Sequence, residues 1–137
     1  MLFDIKTLAT INLLIQTLLL VAVLVAAYLA KRKRQLIRHC RIVRWAVVVQ
    51  LLSIFSIMLP SMAAYRTNPV PPPFRTEMLV HGSLGILLVL LWGYINLAVM
   101  GKVRVLGKLT MYMWTALLMW VLSFLLGLHL YFRIYLG

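Results

Sequence analysis

The chain has 137 residues, 64% hydrophobic and 12% charged, with 14 basic side chains against 2 acidic ones. An ordinary soluble domain, whose apolar share lies nearer ~45–50%, is excluded. What remains is a membrane protein, read as one transmembrane domain over 1–137, with room for four helices of about 20 residues and short connections.

The first apolar run extends from Leu8 to Ala30, interrupted by Thr10, Asn12, Gln16 and Thr17. A secretory signal carries its positive charge ahead of the apolar core; here the charge follows, which predicts a retained first helix. Lys31, Arg32, Lys33 and Arg34, then Arg38, Arg41 and Arg44, form the strongest charge feature. Beside a span, such a cluster takes lipid headgroups rather than nucleic acid as counterions, and Lys31 to Arg44 can hold anionic lipid as a partner, although topology alone explains the cluster and is the preferred reading. The positive-inside rule makes the loop 31–41 cytoplasmic.

A second span is expected over 42–65, loosened near its far end by Pro60. Pro69, Pro71, Pro72 and Pro73 predict a stiff, non-helical external connection. A third span over 78–100 and a fourth over 109–132 are joined by the basic loop 101–108, cytoplasmic by the same rule. Tryptophans and tyrosines, Trp45, Trp92 and Trp114 among them, fall mostly near span ends as a belt requires, with Trp120 deeper. The expected fold class is an all-α membrane protein, a four-transmembrane-helix antiparallel bundle with both termini external. Asn12 and Gln16 fall in the external half and Gln50 and Asn96 in the cytoplasmic half, each needing a hydrogen-bond partner in lipid, with interhelical bonding as the expected role.

Asp4 and Glu77 are the two acids, so carboxylate chemistry has almost nothing to work with. Neither a nucleophile–base pair nor a phosphate-binding glycine loop is evident, and an enzyme is not expected. The candidate site residues are His81 and His129, each about three residues inside the external end of neighbouring antiparallel spans. At matched depth, facing imidazoles can ligate haem iron axially or hold copper; the alternative is two interfacial histidines bonded to water or backbone. Gly85, at i+4 from His81, can admit a porphyrin edge, although helix packing is the preferred reading. Arg66 can pair with Glu77 or, near a haem, meet a propionate. His39 and Cys40 are a possible second metal site on the cytoplasmic side, with a solvated basic loop preferred. A single cysteine leaves the redox compartment undefined.

The basic loop with His39, the span end Ala64-Tyr65-Arg66, His81 opening the third span, Gly107-Lys108-Leu109-Thr110 and the closing Gly127-Leu128-His129-Leu130-Tyr131 together carry a family likeness. From about Arg38 to Tyr131 the chain resembles the small four-helix membrane proteins of the domain-of-unknown-function 420 family. Where that family often carries a His-Arg pair before the last span, this chain has Val103-Arg104. The family includes CtaM-like proteins associated with cytochrome oxidase maturation. The resemblance implies a non-enzymatic assembly factor of the respiratory chain, in a prokaryotic cytoplasmic membrane, handling haem or copper for a haem–copper oxidase, with His39, Tyr65, Arg66 and His81 as the positions carried over. A haem b electron-transfer subunit, and an accessory subunit of a larger membrane complex with no cofactor, remain the alternatives.

Overall fold

The computed structural model describes residues 4–67 and 72–137, with the backbone alone at 64–67 and 72. The described residues are all-α: α1 (Ile5–Lys31), α2 (Leu36–Ser53), α3 (Leu59–Thr67), α4 (Pro72–Val99) and α5 (Leu109–Tyr131). A π-helical stretch, Ile54–Met58, joins α2 to α3, and another, Phe132–Leu136, extends α5. Four helices are long and apolar enough to cross a membrane: Ile5–Lys31, Leu36–Ala63, Pro73–Val99 and Leu109–Leu136. At most 17% of the most apolar window of any of them is buried, so their outward faces are hydrocarbon that water would not tolerate and lipid does. The chain divides into two compact units, one built on α1, α2 and α3 and the other on α4 and α5.

In the first unit, Asp4 caps α1 by accepting the Thr7 amide at 2.7 Å, which holds its carboxyl below the usual carboxylate range. The helix ends at Lys31, and a tight turn with Arg34 at φ 51° reverses the chain. The connection is much shorter than the expected loop 31–41, because α2 starts at Leu36 and takes His39, Cys40, Arg38, Arg41 and Arg44 onto a helix. Buried Gln16, Leu19, Val23 and Ala26 form a stripe on α1 at spacings of three and four, and Ala46, Gln50 and Ser53 form its counterpart on α2.

Polar side chains lock the register of this pair. Gln16 Nε2 donates to Gln50 Oε1 at 2.6 Å and, more weakly, to Asn12 Oδ1 at 3.5 Å; Ser53 Oγ donates to the same Asn12 oxygen at 2.8 Å. The expected division of Asn12 and Gln16 from Gln50 between membrane halves is therefore replaced by one interhelical cluster, with Gln16 and Gln50 at one level. Asn96 instead satisfies itself, donating to the Trp92 carbonyl of its own helix at 2.8 Å. Past Ser53 the Leu59 amide reaches back to the Ile54 carbonyl. The widened turn eases Pro60, which has no N–H and whose ring would press on the carbonyl four residues earlier.

In the second unit, α4 begins at Pro72, six residues before the expected 78. Proline is at home in a first turn, where its missing N–H would have no intrahelical partner anyway. Residues 68–71, with the proline connection expected there, lie outside the described residues. At its other end α4 stops at Gly101, φ 72°, where Lys102 N–H bonds the Leu97 carbonyl and Gly101 N–H that of Ala98, a Schellman closure. Tyr94 and Tyr112 pack edge to face with centroids 5.2 Å apart. They also bind the loop: Leu106 N–H donates to Tyr94 Oη at 3.3 Å, and Tyr112 Oη donates to the Leu106 carbonyl at 2.6 Å. Trp92 and Trp120, both buried, meet at 4.7 Å between centroids, so Trp92 belongs to the interior and not to an interfacial belt.

Two expected outcomes follow. Gln50→Ala leaves the Gln16 amide with its long bond alone and costs about 1 kcal/mol, measured by unfolding in mixed micelles; a double-mutant cycle with Gln16→Ala shows positive coupling. Because the folded Asp4 carboxyl titrates lower than the unfolded one, its cap stabilises α1 above the ordinary carboxylate pKa and is lost as pH falls through the folded value. The protection factor of the Thr7 amide, the unstructured exchange rate divided by its own rate at the same pH, therefore falls with acid, and Asp4→Asn removes most of that dependence.

Candidate functional site

The open end of the α4–α5 hairpin carries three successive cross-helix pairs. Outermost, the Arg133 guanidinium lies 5.6 Å from the centre of the Phe74 ring, a cation–π distance. Next, His129 Nε2 stands 3.5 Å from Glu77 Oε2, with the two side chains 50% and 33% exposed. That separation is an ion-pair distance without hydrogen-bond geometry, and Glu77 Oε2 is itself buried with no hydrogen-bond partner. Innermost, the His81 ring rests on Gly127: a Cβ placed there would come within 3.0 Å of His81 Cε1 and 3.6 Å of both ring nitrogens. The Ser123 carbonyl, one turn further along α5, also bonds the ring, while Nδ1 is buried without a partner.

Helical phase explains this order. On α4, His81, Gly85, Leu88 and Trp92 recur at spacings of four, three and four, and Leu88 and Trp92 are buried. On α5, Ala116, Trp120, Ser123, Gly127 and Leu130 continue the same rhythm, with Ala116, Trp120, Ser123 and Leu130 buried. His81 is in phase with this seam. His129 is one residue out of phase, swings to the half-exposed flank and meets Glu77, one turn before His81 on α4. The two histidines therefore take different partners on levels about one turn, or ~6 Å, apart.

A porphyrin held between His81 and His129 does not fit this arrangement. An axial imidazole needs the haem plane between itself and the opposite ligand, whereas the His81 ring is already against the backbone of α5 at Gly127. Gly85 has open space around it, with no atom within 4 Å of a Cβ built there. Among the described residues no three His, Cys, Asp or Glu side chains converge as metal ligands, so the site offers the two donors of Glu77 and His129. The Arg66 side chain lies outside the described residues.

The other predicted pair is separated by its surroundings. His39 Nδ1 donates to the Ala26 carbonyl at 2.9 Å, tying α2 to α1, and Cys40 is an exposed free thiol. Sequence reasoning missed Gly127 as the platform for His81 and Glu77 as the partner of His129. The seam spacing was the available signal for the first: Gly127 stands four residues from Ser123 and three from Leu130.

Fold and geometry together define an all-α integral membrane protein with four spanning-length helices and an imidazole–carboxylate pair at one hairpin end. Compared with known proteins, the chain matches no family model, no curated protein and no solved structure.

Adding a side chain at Gly127 must push the His81 ring or part the helices. Gly127→Ala is expected to cost about 1 kcal/mol and Gly127→Val more, and to move the imidazole NMR signals of His81 while leaving those of His39 in place. Unchanged His81 signals in both variants would show that the ring does not rest there.

Proposed function

We propose that the chain is a non-enzymatic assembly factor for a haem–copper oxidase, held in a prokaryotic cytoplasmic membrane with both termini external, and that its cargo is copper. The observation that carries the reading is the 3.5 Å edge between His129 Nε2 and Glu77 Oε2. A first-row metal bonded to an imidazole nitrogen and a carboxylate oxygen at about 2.1 Å each, in tetrahedral geometry, spaces those donors about 3.4 Å apart. Two protein donors, half-exposed at a hairpin end, leave the remaining positions to exchanging ligands, which suits transfer to a partner better than permanent retention. Imidazole accepts copper readily, and a carboxylate beside it tunes the charge of the bound ion. The family likeness over Arg38 to Tyr131 supplies the oxidase, and the larger membrane complex it builds is the expected partner.

A second reading rests on the separation being an ion-pair distance. The same Glu77–His129 contact can serve as an ordinary ion pair closing the hairpin, in which case the chain is an accessory subunit with no cofactor. Copper titration of the purified protein against a competing chelator separates the two. One equivalent is expected to bind, with Glu77→Gln and His129→Ala each weakening it at least about tenfold and a His39→Ala, Cys40→Ser double variant leaving it unchanged. A reduced-minus-oxidised spectrum is expected to show no haem band. If copper stays with the chelator, and oxidase activity is normal in cells lacking the protein, the assembly-factor reading fails.

A further inference from the structure

Independently of any metal, the first unit carries a built surface at the start of α2. Two adjoining shallow cavities, about 510 and 370 Å³, run along its first turns and share Leu36, Ile37 and Arg41. Arg34 and Arg38 line the first, and Arg44 the second. Leu36 and Ile37 are 62% and 79% exposed, so the lining pairs guanidinium groups with bare aliphatic side chains.

Among the described residues, none of these four guanidinium groups has a carboxylate within ion-pair distance. The chain's acids are Asp4, at the opposite end of the 27-residue α1, about 40 Å away by helical rise, and Glu77, which faces His129 in the other unit. Arg38 makes one neutral contact, donating to Gln35 at 3.2 Å.

The depth of the surface names its counterion. From Trp45 to Ala63 the helix rises about 28 Å at ~1.5 Å per residue, which by itself nearly fills a ~30 Å hydrocarbon layer. Trp45, 65% exposed, sits at the start of that stretch as an interfacial anchor does. The nine residues before it then stand in the headgroup layer, with Arg44 and Arg41 nearest the lipid phosphates and Leu36 and Ile37 farthest from the hydrocarbon, beside the outer carbon atoms of the headgroup. We propose that this surface, Arg34, Arg38, Arg41 and Arg44 around Leu36 and Ile37, is a binding site for an anionic phospholipid. Guanidinium groups can grip the phosphate oxygens two at a time, and the aliphatic pair covers the headgroup carbon atoms beyond the phosphate. A free phosphate uses the first half of this recognition and not the second.

The test uses the full chain in neutral detergent, titrated with phosphatidylglycerol or phosphatidylcholine and read by native mass spectrometry. Phosphatidylglycerol is expected to bind at least about tenfold more tightly than phosphatidylcholine. Replacing three of the arginines, Arg34, Arg38 and Arg41, by Gln abolishes that preference, whereas Lys102, Arg104 and Lys108, also three cations, replaced by Gln leave it within twofold. A Leu36→Ser, Ile37→Ser variant, which keeps every charge, weakens binding severalfold, and circular dichroism checks that each variant keeps its helices. Equal loss in the two charge-removed variants means a diffuse surface potential and overturns the site. So does full displacement of the lipid by inorganic phosphate at matched free concentration, or the absence of any preference in the unmodified chain.

Discussion

Hydrocarbon offers no hydrogen bonds, and nearly every irregularity in this protein is a response to that. Asn12, Gln16, Gln50 and Ser53 would each be costly alone in lipid; gathered between α1 and α2, they spend their donors and acceptors on one another. The proline that removes a backbone donor in the same span sits just past a widened turn, so the local strain is spread over Ile54–Met58 rather than broken into a loop. At the far end of α4 the loop carbonyls and amides that leave the helix are taken up by Tyr94 and Tyr112. The apolar side chains that face outward need no partner at all, which is why so little of each helix is buried.

The four helices were legible in the sequence because a spanning run is a signal some twenty residues long, which scattered polar residues cannot mask. Phase inside each run was harder to read. Gln16 and Gln50 were placed in different halves by counting from expected span ends, but α2 starts six residues ahead of the expected 42 as well, at Leu36, and the count moved with it. Prolines at 72 and 73 read as helix breakers, although in a first turn they break nothing. Side-chain partners were the least legible. Glu77 and His129 are fifty-two positions apart, and only the antiparallel register, fixed by packing such as Trp92 on Trp120, makes them neighbours.

The charge distribution follows a related logic. With two acids against fourteen bases, an internal salt-bridge network is arithmetically impossible, and each acid is committed to one task. Asp4 accepts an α1 amide, and Glu77 faces an imidazole. The basic groups cluster instead in the short connections between spanning-length helices, at the α1–α2 turn and in the loop after α4.

His81 shows how a seam accommodates a polar ring. An imidazole is a poor knob in a lipid-bounded interface, since one nitrogen can go unpaired, and Nδ1 here does. What makes the position tolerable is the opposite helix. Gly127 gives up its side chain so that the ring, Cε1 foremost, can come close to the helix, and the Ser123 carbonyl one turn away bonds it. The same accommodation leaves no room for a cofactor on that side of the ring. The imidazole that stays half-exposed is the one on the flank, where His129, one residue off the seam, faces the Glu77 carboxylate.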